Sequence, residues 1–277
     1  MKILAPTDFS KNAKKALDYA ARFADKSGAS LTLFHVYHLP YIHGEMPLQM
    51  YNESVSEMED GAKEKLENFK KEFLMSSDVG TIEVDYETKL GFAVEEIIQY
   101  ADENDYDLIV MGTLGASDFL GKVLGSITAK VMEKASCPVL AVPHHFEWKQ
   151  IEKILYATTY SDADIQPLQF LAKVAEVSNA NLHVLHINDE ENHMGLNKRD
   201  AFKQQLKADI SYDKLSFDIY FDLEVAEALQ SFTEKNKIDL MGVLRKKRGI
   251  FESIFHSSIS KKMAYHSKVP VIRFQEK

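Results

Sequence analysis

The sequence is poor in cysteine and in long apolar runs. Its single cysteine in 277 residues, Cys137, excludes an intramolecular disulfide and any metal site built from several cysteines. No apolar run approaches the roughly 18 residues needed to cross a bilayer. The first residues lack the apolar core of a secretory signal, so we expect a cytoplasmic protein.

Positive charge is also in short supply. Lys and Arg total 33 against 42 Asp and Glu, which gives a net charge of −9. Non-specific nucleic-acid binding needs a basic face, and an anionic membrane surface attracts basic segments. The charge balance therefore disfavours nucleic acid and membrane as partners. The length corresponds to about two domains at roughly 150 residues each.

The chain contains an internal repeat. Lys2–Ser10 (KILAPTDFS) reappears at Lys153–Ser161 (KILYATTYS), and Leu31–Val36 is matched by Leu182–Ile187, both at an offset of 151 residues. Towards the ends of the two copies the offset falls to 132. The second copy is therefore shorter, and the missing residues lie between its second and third predicted strands.

Each copy alternates short apolar runs with amphipathic segments, a pattern that predicts an α/β fold with a parallel sheet between helices. Ser10 is expected to cap the first helix. The other predictions that matter below are a helix over Glu57–Leu74, a strand over Thr81–Thr88, and closing strands at Val139–Val142 and Val269–Ile272.

Two segments follow predicted strands at the carboxyl edge of the first sheet, where open parallel sheets bind ligands. One is Pro6-Thr7-Asp8, and the other is Gly112–Ser126, with four glycines in 15 residues. Glycine lets backbone N–H groups approach an anion, and the helix predicted from Ile127 would add its positive N-terminus. Alternatively, the glycines only form turns, and Ser126 only caps the helix.

The spacing G-x2-G-x9-G-S from Gly112 to Ser126 resembles the nucleotide motif of the universal stress protein family. Asp8, Asp107 and the final strand Cys137–Val142 are similar to that family as well. The resemblance covers nearly all of the first copy and, more weakly, most of the second.

This resemblance implies two tandem Rossmann-like domains of the adenine nucleotide alpha hydrolase-like kind. Each would be a mainly parallel five-stranded sheet with helices on both faces. The implied first domain, with an intact motif, spans 1–143, the linker spans 144–150, and the second domain, with a degenerate motif, spans 151–277.

The resemblance also implies a ligand, namely ATP, ADP or AMP, with Mg²⁺ held through the phosphates. Asp8 would bond to ribose or adenine, and Val36 would present its backbone to the adenine edge. The implied nucleotide-binding residues are Ala5, Pro6, Thr7, Asp8, Val36, Met111, Gly112, Gly115, Gly125, Ser126, Ile127 and Thr128. No catalytic residue or protein-held metal is implied.

The second copy departs from the motif. Leu244, Lys247 and Ser257 stand where the first copy has glycine, and Thr159 replaces the aspartate. Side chains at three points of close approach should block phosphate, so we expect little or no ATP binding there. The basic run Arg245–Arg248 is either a solvated loop or an anion or docking patch.

The resemblance implies a nucleotide-binding regulator or sensor of the stress response that binds nucleotide in the first domain only. Two alternatives stay open: a slow ATPase or adenylating enzyme, and a non-catalytic interaction scaffold with vestigial pockets. His35 and His38 could pair on a metal or serve structure alone. The closing strands could join the two domains as an internal pseudo-dimer, and a homodimer of chains is also possible.

Overall fold

The repeat seen in the sequence returns as two structural units, Met1–Val139 and Leu140–Lys277. They are seen in a computed structural model that describes residues 1–38, 48–80, 82–113, 125–188, 194–222, 224–245 and 267–276. Within those ranges, no helix combines the length and apolar character needed to span a membrane.

Strands and helices alternate along the first unit. Its strands are β1 (Lys2–Pro6), β2 (Ser30–Tyr37), β3 (Val84–Leu90) and β4 (Leu108–Gly112), with β5 (Val139–Val142) starting at its last residue. Its helices are α1 (Lys11–Ser27), α2 (Leu48–Ser76), α3 (Ala93–Glu103) and α4 (Ser126–Lys134). The strand order β3-β2-β1-β4 is parallel throughout. Four successive residues of β4 are buried, as expected for a sheet covered on both faces.

The second unit has the same order of elements. Its strands are β6 (Lys153–Ala157), β7 (Asn181–Asn188), β8 (Leu215–Phe221), β9 (Leu240–Arg245) and β10 (Val271–Gln275). Its helices are α5 (Ile165–Ser178), preceded by a short 3-10 turn at Asp162–Asp164, α6 (Met194–Asp209) and α7 (Val225–Asn236). The five strands pair in parallel in the order β10-β9-β6-β7-β8. The predicted parallel α/β class is confirmed.

Local sequence signals set the ends of α1. The Ser10 side chain accepts a hydrogen bond of 3.1 Å from the Ala13 amide, which confirms the predicted cap. Gly28 ends the helix in the left-handed region at φ 62°, where its N–H bonds to the Ala24 carbonyl.

Three predicted elements have different bounds in the structure. Helix α2 starts at Leu48 rather than Glu57, and β3 runs over Val84–Leu90 rather than Thr81–Thr88. The last strand is Val271–Gln275 rather than Val269–Ile272. Alternating side chains do not by themselves set where pairing stops, because the register with the neighbouring strand does. Helix α6 has 16 residues against 29 in α2, so the helix accounts for most of the shortening of the second copy.

At the amino-terminal edge of each sheet, a carboxylate joins the first strand to the fourth. The backbone amide of Lys2 donates to the Asp107 carboxylate at 2.7 Å, and that of Lys153 donates to Asp239 at 2.9 Å. Asp107, which contributed to the family resemblance, therefore lies at the amino end of β4, at the edge of the sheet away from the predicted site.

The two units fill the space between first and fourth strands in opposite ways. Tyr156 in β6 pairs with Gly242 in β9, and a Cβ on that glycine would lie 3.0 Å from Cδ2 of Tyr156 and 2.6 Å from Cδ1 of Leu171. Continuing the β1–β4 register by one residue pairs Ala5 with Val110. In each unit a larger side chain therefore lies opposite a small residue. In the second unit the larger one, Tyr156, is on the first strand, and in the first unit the larger one, Val110, is on the fourth strand.

We expect Gly242→Ala to destabilise the protein by about 1–3 kcal/mol, because the added methyl group overpacks a filled core. Urea unfolding would measure the loss. Gly61→Ala is the matched control: apart from its chain neighbours and its own helix backbone, no atom of the described residues lies within 4 Å of a Cβ there, and alanine favours the helix by up to about 1 kcal/mol. A Gly242→Ala protein as stable as wild type would contradict this account of the packing.

Candidate functional site

A cavity of about 360 Å³ opens at the carboxyl edge of the first unit's sheet. Ligand pockets span roughly 300–1,000 Å³, so the space suits a small molecule. The structure brings ten of the twelve predicted site residues to its wall: Pro6, Thr7, Asp8, Val36, Met111, Gly112, Gly125, Ser126, Ile127 and Thr128.

The two other predicted residues are not on that wall. Ala5 is 2% exposed and lies within β1, in the core behind the cavity. Gly115 falls outside the described residues.

The loop after β1 is held by its own side chains. The Phe9 amide donates to Thr7 Oγ1 at 3.0 Å, and the Ser10 amide donates to Asp8 Oδ1 at the same distance. Phe9 adopts φ 64°, a left-handed conformation that costs a non-glycine residue about 1–2 kcal/mol. The loop thus keeps the Asp8 carboxylate at the cavity while its side chain stays exposed.

His35 fastens this loop to β2. Its Nδ1 lies 2.8 Å from the Thr7 carbonyl oxygen, and because a carbonyl only accepts, Nδ1 carries the proton. Burial lowers the pKa of His35 and outweighs the hydrogen bond to Thr7, and the charge of Lys65 lowers it further. These contacts support the structural interpretation of the histidine, and within the described ranges no three metal-ligating side chains are grouped around an ion site.

Lys65 is a cavity residue that the sequence motif did not identify. It projects from α2, its ammonium lies 4.2 Å from the centre of the Phe9 ring, and it shares the wall with Asp8. Phe69, one turn further along the same helix, packs edge-on against Phe9 at 5.4 Å. Lys65 and Phe69 are four residues apart and therefore lie on the same face of α2. This spacing is the sequence signal that could have pointed to Lys65.

The N-terminus of α4 forms the other end of the cavity. Gly125 occupies the cap position and α4 begins at Ser126, so the interpretation of Ser126 as the cap is wrong. The Thr128 hydroxyl donates to the Gly112 carbonyl at 2.8 Å, so its proton is already engaged within the protein. The amides of the first helical turn remain the donors suited to an anion, because they have no acceptor within the helix.

The corresponding edge of the second unit is different. Leu244, which replaces the first motif glycine, is a buried residue of β9. Arg245 ends that strand. Lys247, Ser257 and the rest of the basic run fall outside the described residues.

Cys137 lies next to the first unit's last strand and is partly buried. Burial, with the nearby charge of Asp102, raises the pKa of its thiol to about 12. The thiol therefore stays protonated at neutral pH, which does not favour a nucleophilic or redox role.

We expect His35 to titrate below about 6.5 in the folded protein, because burial disfavours the imidazolium. With a lowered folded-state pKa, its contribution to stability is complete above about pH 6.5 and is lost as the pH falls below that value. NMR titration of the ring would measure this, with the same ring in urea as the control. A folded midpoint equal to or above that in urea would contradict the prediction.

Known proteins resemble this chain over both units. A sequence model of the Universal stress protein family matches residues 1–143 and 150–274. Universal stress protein MJ0577 of Methanocaldococcus jannaschii is 34% identical over 155 residues, which cover 51% of this chain and 93% of that protein. Universal stress protein Slr1230 of Synechocystis sp. is 23% identical in an alignment of 295 positions, gaps included, that covers 99% of each chain.

Among solved structures, a universal stress protein from Archaeoglobus fulgidus aligns with a TM-score of 0.74 at 19% identity. The alignment covers 100% of this chain and 98% of that one. At this identity the likeness concerns the fold. The family match falls twice, once on each copy of the repeat, and together the two matches span almost the whole sequence. The chain therefore belongs to the universal stress protein family, in its tandem form.

Proposed function

We propose that the first unit binds an adenine nucleotide and that the protein acts as a nucleotide-responsive regulator of the stress response. One observation carries the proposal: a single cavity joins the Asp8 carboxylate to the N-terminus of α4. A carboxylate suits the hydroxyl groups of a ribose, and free helix amides suit phosphate. The residues present therefore fit both ends of such a ligand.

The rest of the cavity wall suits the base and the ribose of the proposed nucleotide. Val36, Ile97 and Met111 offer apolar surface for a flat base. In this proposal Val36 presents its backbone to the adenine edge, and Met111 and Gly112 flank the ribose. Gly125 and the first turn of α4 hold the phosphates. ATP is the proposed ligand, with Mg²⁺ bound to it through phosphate oxygens.

Domain 1, at 1–143, is the proposed nucleotide-binding part, and 151–277 the degenerate part, with 144–150 as linker. The single cysteine fits a reducing compartment, and the cytoplasm is the proposed location. Pairing between the domains, and a homodimer of chains, stay predictions. Sedimentation of the full chain would decide the second.

Titration calorimetry of ATP with Mg²⁺ into the full chain tests the proposal, and we expect one site per chain. Asp8→Ala should weaken binding at least about tenfold, because a hydrogen bond to a charged group contributes about 1.5–3 kcal/mol. Gly125→Val should abolish binding, because its branched side chain stands where the phosphate approaches. Thr159→Ala, at the corresponding place in the second unit, is the matched control and should leave affinity unchanged.

Two sites per chain would show that the second unit also binds nucleotide. No binding would favour the interaction scaffold. Turnover of ATP well above the uncatalysed rate would favour the enzyme alternative, and it is measured in the same samples by phosphate release.

A further inference from the structure

The loop after the first strand occurs twice in this chain, with the same hydrogen bonds between side chains and backbone. In the first unit His35 bonds the Thr7 carbonyl at 2.8 Å, and in the second His186 bonds the Thr158 carbonyl at 2.9 Å. The Tyr160 amide donates to Thr158 Oγ1 at 2.8 Å, as the amide of Phe9 does to its own threonine. Tyr160 also shares the left-handed conformation, at φ 56°. The differences between the loops therefore lie in side chains.

The Asp164 carboxylate, just after the second loop, has no counterpart after the first loop, where the corresponding residue is Ala13. Ser161 and Asp164 form a capping box at the start of the second unit's first helical segment. Ser10 caps α1 in the same way, but the residue three positions later is Ala13, which lines the cavity. Asp164 thus occupies the place that Ala13 leaves open.

Asp164 is 1% exposed, and its carboxylate accepts hydrogen bonds from β6 and from three residues that follow it. The hydroxyl of Tyr156 donates to it at 2.7 Å and that of Thr158 at 2.9 Å. The Ser161 amide donates at 3.0 Å and the Thr159 amide at 3.3 Å. A buried carboxylate is costly unless such donors surround it, and here they do.

The carboxylate that accepts the serine amide comes from a different position in each unit. In the first unit Asp8, on the loop itself, accepts the Ser10 amide and remains exposed at the cavity. In the second unit Thr159 replaces that aspartate, and Asp164 accepts the corresponding Ser161 amide from the helix side. One carboxylate is directed to solvent and the other is enclosed.

Tyr156 completes the closed arrangement. It stands where the first unit has Ala5, and Gly242 makes room for its ring. Burial, together with the Asp164 charge, raises the pKa of Tyr156 well above its ordinary value, so its hydroxyl remains a donor. Four positions therefore differ together, which a single chance substitution does not explain: Tyr156, Thr159, Asp164 and Gly242 stand where the first unit has Ala5, Asp8, Ala13 and Val110.

We propose that the third residue after the helix cap selects the state of this loop: Ala13 leaves it open to a ligand, and Asp164 closes it with the protein's own carboxylate. The ligand half of this statement rests on the proposed function. In this view the second unit fails to bind nucleotide because its loop already holds an internal anion, in addition to the side chains that replace the motif glycines.

Ala13→Asp tests the open state. We expect it to lower ATP affinity at least tenfold in calorimetry. Ala13→Asn, of equal size without the charge, should lower affinity as well if filled space is the cause. Asn12→Asp is the control, because it adds a carboxylate to the same helical turn at a residue that does not line the cavity, and it should bind within threefold of wild type. A folded Ala13→Asp protein with wild-type affinity would overturn the proposal.

Asp164→Ala tests the closed state without nucleotide. Hydrogen exchange should quicken at least tenfold at the Thr159 and Ser161 amides, while Leu155 in the strand exchanges as before. Asp164→Asn retains one acceptor and should give a smaller increase, and it serves as the test if the alanine variant does not fold. Unchanged exchange at both amides would overturn the proposal. If wild type binds no nucleotide, the proposed function fails, and the exchange result still decides whether Asp164 closes the loop.

Discussion

Parallel pairing of the first strand with both its neighbours is the constraint on which each unit depends. Because β1 runs parallel to β2 and β4, the residues that follow all three strands meet at one edge. A backbone-to-carboxylate bond from Lys2 to Asp107 fixes the opposite edge, and Lys153 and Asp239 repeat it. The register of the strands therefore fixes the place of the cavity before any side chain in it is considered.

The two units have the same order of strands, but they differ in the polar groups at the carboxyl edge of the sheet. In the first, the exposed Asp8 carboxylate and the start of α4 line one cavity. In the second, Asp164 satisfies the loop from within. A polar group that is already paired gains little from a ligand, because binding would have to break the existing bonds.

Several features were predictable from particular residues. The apolar run Val139–Val142 located β5, and Ser10 located the start of α1, because caps and buried strands have local signatures. The start of α2 and the bounds of β3 were not predictable, since both depend on packing and register. Gly125 rather than Ser126 caps α4, a difference of one residue that local propensity does not resolve.

The sequence by itself determined the repeat, the parallel α/β class and the glycine-rich segment that marks the family. It did so because periodicity, turn residues and motif spacing are local properties. Only the tertiary structure decided that Lys65 reaches the cavity from α2, that the Thr128 hydroxyl is engaged by Gly112, and that Asp164 closes its loop. Each of these depends on which side chains meet across separate elements, and contact between elements is set by how they pack.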